Sequence, residues 1–295
     1  MYKFNMKKKK TFNLSNYLFI VIPVLFVIII MIIPFLETIY YSFQKFNGIS
    51  TPIFVGLKNY IFLKDNFHFL GAIKNNFLIV LAAPFWVIIP LILAAVLFQN
   101  QGSMLKIARM TIMLPFAISM TITGILFSSL LYFNGPINDI LRGIGLEFMA
   151  IDWLGNVKLA LPIIIITAIW KDFGLLTVIY LAGLSNLNQD ILDAAKIDGA
   201  NWFQEFSHII IPQLNYIIVF VTSIVLIGDF RDMFDYVYNM TKGGPGFTTA
   251  TIEYLLYNEA FKFNNYGFAC TLGVLIFLII VLVTFFQIRI MTRRD

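Results

Sequence analysis

Cysteine is almost missing from this chain: Cys270 stands alone in an apolar run, which excludes an internal disulfide and leaves no thiolate set for a metal. Histidine is nearly as scarce, and His68 and His208 have no ligand-spaced partners. Charge is thin as well, at 13% of 295 residues, against 59% hydrophobic and a mean hydropathy of +0.84. Too little polar sequence remains for a soluble domain of useful size, and the composition is that of a polytopic membrane protein. No G-x-x-x-x-G-K-[ST] phosphate loop occurs, and no nucleophile–base set is visible. The pI near 9.1 does not imply nucleic acid, because the lysines gather at the start of the chain without interleaved aromatics. The chain therefore reads as neither an enzyme nor a nucleic-acid binder.

What is present in quantity is apolar sequence. Charge-free runs cover residues 17–36, 77–98, 110–133 and 268–288. Two less clean candidates are 159–184, which contains Lys171 and Asp172, and 216–237, which carries charges towards one end. Each is long enough to cross a bilayer as a helix, so six spans are expected in an all-α membrane protein. The basic start, Lys3 and Lys7 to Lys10, and Arg289, Arg293 and Arg294 at the end place both termini in the cytoplasm. The expected organisation is a basic tail over 1–16, a six-helix domain over 17–290 with a loop at 185–215, and a short tail over 291–295. The first run is read as a retained helix: Pro34-Phe35-Leu36-Glu37 follows it, where a signal peptide would show a small-residue cleavage site.

Between the fourth and fifth spans lies a polar, helix-prone island, residues 190–212. With six spans and an inside N-terminus it falls on the cytoplasmic face. Asp198-Gly199 reads as a helix end, since glycine accepts the left-handed conformation. Asn201 offers an N-cap and Gln204 completes a capping box. Trp202, Phe203 and Phe206 are spaced to gather on one side of the second helix. Two short helices at an angle, with small Ala194 and Ala195, would form a plug for another protein's groove; a structured loop that touches nothing is the plainer alternative.

Asp193-Ala194-Ala195, Gly199 and Ile209-Ile210-Ile211-Pro212 together resemble the EAA signature of ABC-importer permease subunits, with Asp193 where Glu is usual and Ile211 where Leu is common. Phe54-Val55-Gly56-Leu57-Lys58-Asn59-Tyr60, Gly135-Pro136-Ile137-Asn138 and Thr241-Lys242-Gly243-Gly244-Pro245 resemble turns of the carbohydrate-type branch (maltose, glycerol-3-phosphate or multiple-sugar type). The resemblance implies a cytoplasmic coupling loop between helices 4 and 5, in which Asp193, Ala194, Ala195, Asp198, Gly199, Trp202, Phe203, Phe206 and Pro212 meet an ATPase. It further implies a second homologous permease, a pair of cytoplasmic ATPase subunits and an extracytoplasmic sugar-binding protein. No cofactor is expected on this chain, ATP and Mg being held by the partner ATPase.

Charges in mid-membrane are costly unless they face protein or water, so Lys171 and Asp172 are functional candidates. Trp170 and Phe173 flank them and would suit the apolar faces of a sugar; a structural ion pair is the competing reading. Gly174 is placed to let that helix bend. Asp229 and Arg231, near the end of the fifth span, are candidates for the pathway's vestibule, with Arg231 and Asp235 spaced to pair on one face; a solvated helix end accounts for them equally well. Hydroxyls such as Ser119, Thr123 and Ser129 are expected to bond backbone. A helix over 248–261 is expected at the interface, with Tyr254, Tyr257 and Phe261 on one side. A different class of function, an ion-gradient-driven transporter using Lys171 and Asp172 as its relay, remains open at this point.

Overall fold

The computed structural model describes residues 14–99 and 103–291; the basic tail up to residue 13 and the last four residues lie outside them. Among the described residues the regular structure is helical apart from a two-residue antiparallel pairing in which Gln44 faces Phe54 and Lys45 faces Ile53. Four helices among the described residues are long and apolar enough to cross a membrane, and up to six spans result if each of two bent pairs, 107–117 with 120–130 and 202–213 with 215–229, counts as one.

The first span is helical from Leu14 to Ser42, through a wide turn at Ile28–Ile32 that accommodates Pro34 just beyond it. It therefore continues past Leu36, with Glu37 inside the helix. Its end is fixed by Asn59, whose Nδ2 donates to the carbonyls of Ser42 and Gln44, both at 2.9 Å. That side-chain capping satisfies carbonyls a helix terminus leaves open. The most apolar window of this span buries none of its residues in the chain.

The second span, Phe67–Gln99, is 33 residues long, about 50 Å at 1.5 Å per residue. Ala72, Ile79, Ala83, Trp86, Leu91 and Ala94 form a buried stripe at helical spacing. This stripe packs on the fourth span, Ala160–Leu184. The fourth span is one uninterrupted helix, so Gly174 is not a hinge. Its missing side chain instead admits the third span, since a Cβ there would collide with the Ile112 carbonyl oxygen.

The third span is broken. Ser103–Ala117 and Met120–Leu130 meet at 94°, although residues 110–133 are uniformly apolar. Pro115 cannot continue the hydrogen-bond ladder, and Ser119, in an extended conformation, caps the next helix by accepting from the Ile122 N–H at 3.3 Å. The fifth is bent at its start, where Trp202–Gln213 and Asn215–Asp229 meet at 75°, and Asn215–Asp229 ends well short of Val237, with Met233–Met240 following as a separate helix. Arg231 and Asp232 N–H groups both donate to the Gly228 carbonyl, closing the turn between them.

Residues 241–251 are more than an external turn. Asn75 Nδ2 donates to the Thr248 and Ala250 carbonyls at 2.9 and 2.8 Å, and Asn76 Oδ1 accepts from the Ile252 N–H at 2.9 Å. The helix that follows, Ile252–Tyr257, is buried against the second and last spans, not laid along an interface. Tyr254 is buried in it and donates to the Lys242 carbonyl, while Phe261 is exposed. The last span, Tyr266–Met291, is tied to the fifth by Gln287, which donates to Ser223 Oγ at 2.9 Å.

Candidate functional site

Two features stand out, one inside the bundle and one at its end. The inner feature is a cavity of about 260 Å³ between the second, third, fourth and fifth spans. Lys171 reaches it from the fourth span, with 3% of its surface exposed. Its Nζ lies 3.9 Å from Asp172 Oδ1 and 4.7 Å from the centre of the Phe116 ring. The ammonium thus has an anion on one side and a π face on the other, which lowers the cost of holding it away from water. Trp86 from the second span lines the same cavity.

Asp229 comes from the end of the fifth span, Arg231 and Asp232 from the turn after it, and Tyr236 from the next helix. Arg231 does not pair with Asp235. It makes a two-pronged contact with Asp232, Nε and one terminal nitrogen donating at 2.6 and 2.8 Å. The neighbouring carboxylate suits the guanidinium fork better than one a turn away. Asp235 instead accepts from Thr121 Oγ1 at 3.1 Å. Asp229 Oδ2 and the Tyr236 hydroxyl are buried with no hydrogen-bond partner among the described residues. Such orphaned polar atoms facing a cavity are what a polyhydroxylated guest or ordered water would satisfy.

Of the six pathway candidates, Lys171, Asp172, Asp229 and Arg231 line this one cavity. Trp170 and Phe173 do not: Trp170 packs on Phe127 with ring centres 5.1 Å apart, and Phe173 is half-buried outside the lining. The aromatic surface comes from Trp86, Phe116 and Tyr236 instead. Trp86 carried a faint signal, a lone indole between Pro84 and Pro90 in an aliphatic span. Ser119, Thr123 and Ser129 are spent on local backbone bonds.

The outer feature is the island at 190–212. Gln189–Ile197 ends at Asp198, and Gly199 follows at φ +81°. Asn201 caps Trp202–Glu205: its Oδ1 accepts from the Gln204 N–H at 3.0 Å, and its own N–H donates to Gln204 Oε1 at 2.8 Å. Leu192, Phe206 and Ile210 are buried and anchor the island. Trp202 stacks on Phe206 at 5.1 Å with the rings nearly parallel. Phe203 does not join them, because one residue of helix rotates it about 100° away; it is 69% exposed, and Ile197 86%. Asp193 and Lys196 form a loose pair at 3.8 Å, Ala194, Asp198 and Pro212 are exposed, and Ala195 is half-buried. The island thus presents Phe203 and Ile197 as large apolar groups on an otherwise polar surface.

The sequence profile of the family described as "binding-protein-dependent transport system inner membrane component" matches residues 77–294. The chain is 31% identical over 283 residues to the lactose transport system permease protein LacF of Rhizobium radiobacter, covering 95% of this chain and 94% of that protein. It is 29% identical over 291 residues to the probable starch degradation products transport system permease protein AmyD of Thermoanaerobacterium thermosulfurigenes, with 98% of each covered. Among solved structures, a chain of a bacterial ABC transporter involved in the import of the acidic polysaccharide alginate matches with a TM-score of 0.84 at 22% identity, 95% of each chain being covered.

Proposed function

The chain belongs to the binding-protein-dependent transport system inner membrane component family, and from that premise we propose how this multi-pass permease subunit of an ABC importer works. Its cargo is a sugar, in keeping with the lactose and starch-product permeases it resembles. The charged cavity is a station on the sugar's path, and the 190–212 island receives force from a separate ATPase. ATP and Mg belong to that ATPase, and family membership displaces the ion-gradient alternative.

One observation carries the mechanism. The island is spliced directly between the two helices that supply the cavity's charges. The fourth span brings Lys171 and Asp172 and runs without a break to Leu184, while the fifth starts beyond a 75° bend at Leu214 and ends on Asp229. Asp172 and Leu184 are twelve residues apart, about 18 Å of continuous helix. Motion of the island therefore reaches both walls of the cavity through rigid rods, one way an importer alternates access. The second permease, the paired ATPases, the extracytoplasmic sugar-binding protein and the cytoplasmic placement of both termini complete the proposal. Reconstitution of the full chain with those partners in vesicles is the test. Labelled lactose or maltooligosaccharide should enter only with ATP and the ATPase, and uptake that persists without the ATPase would refute it.

A further inference from the structure

At the end of the bundle opposite the island, a groove of about 560 Å³ runs between the second and fourth spans. Its walls are largely apolar, with Leu70, Leu78, Leu161 and Pro162 among them, and its charged side chains include Lys74 and Lys158. No carboxylate lines it, and neither lysine has an ion-pair partner among the described residues.

The depth of these groups is set by the helices that carry them. The second span is about 50 Å long, well beyond the roughly 30 Å of bilayer hydrocarbon, and its charge-free part begins at Phe77. Lys74 is thus within one turn of the hydrocarbon boundary. Lys158 precedes the helix Ala160–Leu184 by two residues, which sets it at the same boundary. Next to them the lining holds Leu78, Leu161 and Pro162, with Asn75 and Thr248 as polar neighbours.

We propose that this groove holds one anionic phospholipid, its phosphate between Lys74 and Lys158 and an acyl chain lying along Leu78 and Leu161. Two uncompensated ammonium groups at headgroup depth favour a net negative headgroup over a zwitterionic one. The aliphatic side chains beside the two lysines call for a chain attached to that anion, which a soluble phosphate or an acidic protein loop lacks. The site is independent of which sugar the cavity admits.

Native mass spectrometry of the full-length chain in neutral detergent reads this directly, with phosphatidylglycerol and phosphatidylcholine of matched chains as probes. Phosphatidylglycerol should be retained at a roughly ten-fold lower concentration. The double variant Lys74→Gln/Lys158→Gln should lose that preference, and Lys64→Gln should keep it. Thermal unfolding in phosphatidylcholine checks that the variants remain folded. Equal retention of the two lipids, or a preference that survives the double variant, would overturn the proposal. So would displacement of the lipid by equimolar glycerol 3-phosphate, which would make the groove a simple anion site, or by an acidic partner protein, which would make it a docking surface.

Discussion

Replacing Gly199 tests whether the angle between the two island helices matters for coupling. Gly199 adopts φ +81°, and a Cβ added there meets nothing within 4 Å. The steric cost is therefore nil and the whole penalty lies in the backbone, about 1–2 kcal/mol for an L-residue forced into the left-handed region. About 1.4 kcal/mol is a ten-fold change in an equilibrium. Gly199→Val should then deplete the native angle roughly ten-fold. Gly199→Asn, whose short polar side chain tolerates this conformation, should have a much smaller effect. The Asp198 N–H to Ala194 and Ala200 N–H to Ala195 bonds, both 3.0 Å, are what the strained variant must give up. In vesicles carrying the assembled importer, ATP hydrolysis and sugar uptake are measured on the same sample. Valine should lower uptake per ATP hydrolysed while thermal unfolding of the bundle stays unchanged, and asparagine should restore coupling. Identical behaviour of the two variants would refute the reasoning, as would global unfolding of the valine variant.

Gly174→Ala should behave in the opposite way, because its Cβ meets the Ile112 backbone, which cannot rotate aside. Overpacking of this kind costs about 1–3 kcal/mol, so a lowered unfolding temperature is expected, and a neutral result would contradict the close approach of the third and fourth spans. Lys171→Met should leave Asp172, about one-third exposed at the cavity wall, without its nearest cation, so the loss should fall below the roughly 3–5 kcal/mol of breaking a fully buried pair. Lys171→Met/Asp172→Leu should recover much of that loss in denaturation experiments. Burial pushes the Glu253 carboxyl up to about 7, against hydrogen bonds from Thr251 and Asn76 that favour its charged form. The fold thus prefers the neutral acid, so this contribution is full below about pH 4.5 and is lost as pH rises through about 7. Glu253→Gln, which keeps an oxygen for Asn76, should flatten the fall in unfolding temperature between about pH 4.5 and 7; an unchanged slope would place the titration elsewhere.

That several helices cross a membrane was legible because hydropathy reports lipid contact directly, and four of the expected six runs are single long apolar helices among the described residues. Breaks within segments were not, because the 110–133 run is apolar on both sides of Ser119. Only Pro115 and a serine able to cap hinted at the 94° bend. The island was legible to single residues at Gly199, Asn201 and Gln204, since caps and left-handed turns are local chemistry. Lys171 and Asp172 announced themselves by their cost in a span. Trp86, Phe116 and Tyr236 did not, because an aromatic in a membrane helix is usual whether it faces lipid or a cavity. Arg231 chose Asp232 over Asp235 because the helix ends at Asp229, so helical spacing no longer applied. The burial of Tyr254 depended on Asn75 and Asn76, nearly 180 residues away, a tertiary fact no local pattern carries.

The most direct test replaces Phe203 with cysteine in a chain whose one native cysteine, Cys270, is changed to alanine. A membrane-impermeant maleimide should label that cysteine in inside-out vesicles alone, and assembly with the ATPase subunits should protect it. Labelling from the extracellular side, or full reactivity in the assembled importer, would contradict the coupling role given to the island.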